Sequence, residues 1–136
     1  MKSIRNNRGE GYIEVVVLVL VAAFFLVFCL SVFDYMIQKQ KLDLFAKELV
    51  EAASTYGTTE GPCRVRYENL CSQLGITPEC DFSGTQYFNY EKKTVQLGEE
   101  IYVKLSLKRS SGITGLFSFP VTIYAAGSGL SEQYWK

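Results

Sequence analysis

Apolar residues follow three rhythms along this chain. Residues 15–33 read VVVLVLVAAFFLVFCLSVF, with no charge, no Pro and no Gly. A run of that length matches a hydrocarbon core of roughly 30 Å at ~1.5 Å per helical residue, and predicts a membrane-spanning helix. The rhythm then changes to steps of three and four. Leu42, Phe45, Leu49, Ala52 and Tyr56 form a narrow apolar stripe, with Lys39, Lys41, Asp43, Lys47, Glu48 and Glu51 mainly off it. Neither Gly nor Pro occurs between Tyr12 and Tyr56. The span and the stripe therefore belong to one helix over residues 10–57, roughly 65–70 Å long. Gly57 suits the left-handed turn that ends it.

The third rhythm is alternation. Residues 58–62 (TTEGP) form a turn, and residues 64–74 predict a short helix with Val65, Leu70 and Leu74 inward. Residues 85–90 and 94–97 are strand candidates, the second with Val95 and Leu97 on one face. Ile101, Val103, Leu105 and Leu107 alternate with Tyr102, Lys104, Ser106 and Lys108, the pattern of a half-buried strand. After a polar loop, Phe117, Phe119, Val121, Ile123 and Ala125 repeat it. Pro120 points away from that face and suggests an edge strand or a bulge. The fold class is α+β: a long N-terminal helix, membrane-spanning in its first half and external in its second, packed on a small antiparallel β-sheet. Residues 1–9 form a basic leader and residues 58–136 an external β-rich domain. The stripe needs a cover, either this sheet or neighbouring copies. A sheet with one apolar face packs it on something, which favours the intramolecular arrangement.

Charge adds orientation. Lys2, Arg5 and Arg8 precede the apolar run, opposed by Glu10 and Glu14, and acidic residues count little in setting topology. The N-terminus is expected in the cytoplasm and the residues after Asp34 outside. The run is too long for a secretory signal core, and the bulky SVFDYMIQ that ends it offers no small-x-small cleavage site. A plain signal-anchor is the simplest alternative. The net charge is zero, so no basic field favours nucleic acid. There is no His, the commonest general base and metal ligand. Glu99 and Glu100 sit in a turn and read as solvated surface. Lys92–Lys93 and Lys108–Arg109 read as sheet ends, with a contact to an anionic surface as the alternative. A non-enzymatic protein without cofactor is expected. Tyr134 and Trp135 suit docking on the sheet or a contact surface.

Cys29 lies inside the apolar run and reads as a small apolar filler. Cys63, Cys71 and Cys80 lie in the external part, where one disulfide is the natural expectation. A helix over residues 64–74 separates Cys63 from Cys71 by about 12 Å along its axis. That exceeds the Cα range of a bridge. Cys71–Cys80 is the favoured pair and Cys63–Cys80 the second.

The stretch Arg8-Gly9-Glu10-Gly11-Tyr12-Ile13-Glu14 leads directly into the apolar run. It resembles the type IV pilin signal, in which a leader ending in Gly is removed and the fifth mature residue is Glu. With RGEGYIEVVVLVLV, QKQKLDLFAKELVEAA and a late strand ending in AAGSGLSE, the chain looks like the TadE family of minor pilins or pseudopilins of tight-adherence systems. The tail is also similar to a clostridial membrane-protein family related to TadE. The resemblance implies removal of residues 1–9 after Gly9, leaving Glu10 first and Glu14 as the assembly glutamate. It implies membrane lipid, a prepilin peptidase and other pilin-like subunits or secretion-system proteins as partners. Three features depart from the pattern. Glu10 stands where pilins carry an aromatic or apolar residue, Gly11 offers a second cut, and the cysteines have no counterpart. The rival expectation is an unprocessed bitopic accessory protein of a secretion or conjugation apparatus.

Overall fold

A computed structural model describes residues 8–113 and 117–136 of the chain. The elements run α1 (Arg8–Tyr56), α2 (Pro62–Leu74), β1 (Glu79–Asp81), β2 (Glu100–Ile113) and β3 (Phe117–Leu130). The long helix is continuous over 49 residues, roughly 73 Å at 1.5 Å per residue. Its two halves differ in what covers them. From Gly11 to Ile37 every residue is exposed except the half-buried Val27, Cys29 and Ser31. This half is long and apolar enough to cross a membrane. From Gln38 onward the helix lies on the sheet.

The sheet is antiparallel in the order β1-β2-β3. Alternation turns Ile101, Val103, Leu105 and Leu107 of β2 and Ile123 and Ala125 of β3 inward, and all are buried. Leu42, Phe45 and Leu49 of α1 are fully buried in the same core. The fold is thus α+β, with the helix packed on a small antiparallel sheet as the patterns imply. The buried helix face is wider than the stripe, because Ala46, Val50 and Ala53 join it. Its far end is corrected. Ala52 is half-buried and Tyr56 is 50% exposed, both lining an open furrow between α1 and α2. The sheet ends before this last turn, and the cover there is the chain's C-terminal tail. Glu132 N–H donates to Ser54 O (2.9 Å) and Gln133 Nε2 to Thr55 O (2.9 Å). That tail protects the helix backbone rather than the Tyr56 ring. Gly57 adopts φ +62°, and a Cβ there would stand 2.5 Å from Gln133 Cβ. The left-handed turn and the close tail both require glycine.

Helix α2 starts with Pro62 and ends at Gly75 in the left-handed conformation. It buries Cys63 and Leu70 against α1, with Tyr67 edge-on to Phe45 at 5.3 Å. Val65 faces solvent instead of the core. The strand candidates over residues 85–90 and 94–97 are loop, holding only isolated bridges. Thr85 explains the first. Its hydroxyl accepts from Tyr102 N–H (3.0 Å) and donates to Tyr102 O (3.1 Å), taking the backbone groups a neighbouring strand would use. In the second, Val95 is buried and its N–H donates to Gly57 O (2.8 Å), while Leu97 is exposed. The short β1 instead pairs Cys80 with Leu105. β3 is an edge strand, as Pro120 suggested. The side chain of Phe117 lies outside the described residues.

Candidate functional site

Two places bring together residues with chemical potential. The first is the start of α1. Gly9 and Glu10 occupy its first turn, and the Glu10 side chain lies outside the described residues. Glu14 is exposed one turn further on. It shares one side of the helix with Ile13, Val17, Leu18, Val21, Ala22 and Phe25, an apolar strip without other charge. From Glu14 the next charged residue is Asp34. The interval is roughly 30 Å along the axis, the thickness of a hydrocarbon core. A carboxylate held at the centre of a bilayer costs about 2.5–3.5 kcal/mol. A helix spanning a bilayer with Glu14 at the end of its apolar run would spare the carboxylate that cost at the interface, and more so beside a cation.

The second place is a cleft of about 580 Å³ between α2, β1 and the loops around them. Cys63, Tyr67, Cys80, Thr59 and Tyr87 line it, with Glu60 and Lys93 at the mouth. Tyr67 stands one helical turn from Cys63 and one from Cys71, and its hydroxyl donates to Pro78 O at 2.7 Å. Thr59 and Tyr87 share a hydrogen bond of 3.0 Å. Burial pushes the Cys63 thiol up to about 11. Cys80 is pushed up to about 12 by burial first, then by Cys63 and Asp81. The Tyr67 phenol rises to about 12 through burial, then through Cys71 and Cys80 beside it. Glu60, 2.9 Å from Lys93, raises the lysine. A thiol this hard to ionise is less than about one part in a thousand thiolate at neutral pH, so these groups act as packing rather than as nucleophiles.

The expected disulfide is corrected. Cys63, Cys71 and Cys80 are all free thiols. Tyr67 stands beside Cys71 and Cys80 and is fixed by its bond to Pro78. Cys29 is half-buried in the apolar half of α1. No group of side chains suited to a metal ion occurs among the described residues.

The structure therefore gathers Leu42, Phe45 and Leu49 into one core and Cys63 and Cys80 around one cleft. Gly9, Glu10 and Glu14 lie far down the helix from both. Tyr67 escaped the sequence reading, although its spacing of four from each of Cys63 and Cys71 marks a shared helix face. Gln38 escaped it too. This residue is buried where the helix first meets the sheet, and its Oε1 has no hydrogen-bond partner among the described residues.

Residues 19–136 match the family model described as Domain of unknown function (DUF4320), and the chain belongs to that family. The match begins beyond Glu14 and runs to the last residue. No curated protein and no solved structure matches the chain.

Proposed function

We propose that this member of the DUF4320 family is a single-pass, pilin-like membrane subunit. In this reading it is a TadE-like minor pilin or pseudopilin of a tight-adherence or type IV pilus-related assembly or secretion system. The observation that carries the reading is one unbroken helix with two unlike halves. The first half is exposed and apolar over a bilayer's thickness, and the second is the spine of a small β-domain. A subunit that waits in a membrane and is then drawn into a filament needs both functions on one rigid element.

The residues before the run supply the rest. The basic leader orients the N-terminus to the cytoplasm and the β-domain to the outside. Gly9 offers a peptidase an unhindered backbone, and the cut leaves Glu10 first. Glu14 then serves as the assembly glutamate, its carboxylate facing the new N-terminal amine of an adjacent subunit within the membrane. The protein acts as a non-enzymatic structural subunit without cofactor. Its partners are membrane lipid, a prepilin peptidase and other pilin-like or secretion-system proteins.

The test is processing. Co-expression with an active prepilin peptidase should shorten the membrane-extracted protein by residues 1–9, read by intact mass. Gly9→Val should restore the full-length mass. A full-length mass for the unaltered protein beside an active peptidase would sink the pilin reading. It would leave the unprocessed bitopic accessory protein in its place.

A further inference from the structure

The β2–β3 hairpin outruns the core that it covers, and it does so toward the apolar half of α1. Contacts between helix and sheet fix the direction. Gly129 lies against Ser54 and Val50, Gly127 against Val50 and Ala46, and Lys39 Nζ donates to Tyr124 O at 2.6 Å. Falling numbers on β3 thus accompany falling numbers on α1. Beyond Tyr124 the strand continues through Val121, Pro120 and Phe119 to Phe117, paired throughout with β2. Phe119 is five residues past Tyr124, roughly 16 Å at 3.3 Å per strand residue. The same distance down α1 from Lys39 is about eleven residues and reaches Phe28. Even with strand and helix crossing at about 40°, the drop is roughly 12 Å and reaches Ser31. Both levels lie inside residues 15–33.

Two side chains match that level. Phe119 belongs by alternation to the same face as Ile123 and Ala125, yet it is 65% exposed while they are buried. Arg109 is paired with Val121 and follows the buried Leu107 on the inner face of β2, exposed and without an ion pair among the described residues. Its level, roughly 10 Å below Tyr124, corresponds to Val32 or Phe33, beside the end of the apolar run. Its outward neighbour Lys108 reaches Glu79 at 3.4 Å but remains largely exposed. A cation at the boundary and an aromatic ring below it match what a bilayer interface selects. On the helix, Val27 and Ser31 are partly covered. They lie on the face that continues into Gln38 and Leu42.

We propose that the hairpin end is a second membrane-contacting element. Phe119 enters the acyl region of the outer leaflet beside α1, and Arg109 and Lys108 engage phospholipid phosphates at its surface. The inference rests on the membrane reading of residues 15–33. It goes beyond that reading by giving the external domain a fixed stance on the bilayer.

Tryptophan fluorescence tests it, with the full-length protein in nanodiscs whose phospholipids carry brominated acyl chains, which quench emission on contact. Trp135, the sole native Trp, packs against Gly57. That position is roughly 34 Å above Asp34 along the helix, so the unaltered protein should keep its emission. Val21→Trp reports on the span and Phe119→Trp on the hairpin. Both added emissions should be largely lost in brominated discs and retained in ordinary ones. Quenching of Val21→Trp without quenching of Phe119→Trp would overturn the hairpin inference and leave the span intact. Failure of both to be quenched would remove the membrane reading and the inference with it. Adding Arg109→Glu and Lys108→Glu to Phe119→Trp should weaken its quenching. Unchanged quenching would overturn the phosphate role.

Discussion

At the scale of single residues, the cysteines carry the most information. Read as spacing, three thiols in an external domain call for a bridge. In three dimensions all three are free thiols, and burial holds Cys63 and Cys80 in the neutral form. This has a pH consequence with a definite sign. The ordinary thiol value is 9.0, and the folded values are about 11 for Cys63 and about 12 for Cys80. Above pH 9 an unfolded chain releases these protons while the folded one retains them. The stabilisation is complete below pH 9 and is lost as the pH rises through 11 to 12. Tyr67, raised from 10.0 to about 12, acts in the same direction. The thermal midpoint of the β-domain should therefore fall between pH 9 and pH 11, and Cys63→Ala should make that fall shallower. A pH series of circular-dichroism melts on both proteins checks it. Equal slopes would mean that Cys63 is not the group concerned.

At the scale of elements, α1 changes its surroundings partway along its length, from an exposed apolar half to a half packed on the sheet. The buried set Leu42, Phe45, Ala46, Leu49, Val50 and Ala53 covers about one helix face. The narrow stripe captured its centre and missed its flank, because Ala46, Val50 and Ala53 fall between the chosen steps. Leu49 is at the middle, and Cys63 Sγ approaches its carbonyl at 3.9 Å. Leu49→Ala should cost about 2–5 kcal/mol through lost contacts and a cavity. Leu49→Asp places an unpaired charge in the same space and should unfold the β-domain. Limited proteolysis of the membrane-inserted protein should then degrade residues beyond α1 while the apolar half remains in the membrane. A domain that resists protease with Leu49→Asp in place would assign the stripe to contacts between subunits instead.

At the scale of the whole molecule, Glu14 and Asp34 bracket one bilayer thickness, and the β-domain begins a turn beyond Asp34. Glu14 touches nothing in the β-domain, so its substitution separates assembly from folding. Glu14→Leu should leave the melt of the β-domain within about 0.5 kcal/mol of the unaltered protein, as befits an exposed position remote from the core. Membrane extraction should still recover it in full. The protein should disappear from the filament fraction sheared from cells that carry the assembly system, as the proposed pairing of Glu14 requires. Unimpaired recovery of the Glu14→Leu protein in that fraction would remove the assembly role.

Local periodicity was enough to place the main elements. An uncharged run of bilayer length, the lack of Gly or Pro from there to Tyr56, and the strict alternation at Ile101 to Leu107 leave little choice of element. The α+β class follows from them, since a one-faced sheet and a striped helix each need the other. Tertiary structure decided whatever depends on which neighbour reaches a group first. The alternation at residues 94–97 did not become a strand, because Val95 found the end of α1. Residues 85–90 did not pair with β2, because the Thr85 hydroxyl satisfied Tyr102. Cys63, Cys71 and Cys80 stayed unbridged, with Cys63 and Cys80 lining one cleft. Phe119 shares its face with buried residues and is exposed because its strand runs past the part of the helix that closes the core. Such outcomes turn on distances between residues remote in the chain, and periodicity carries no record of them.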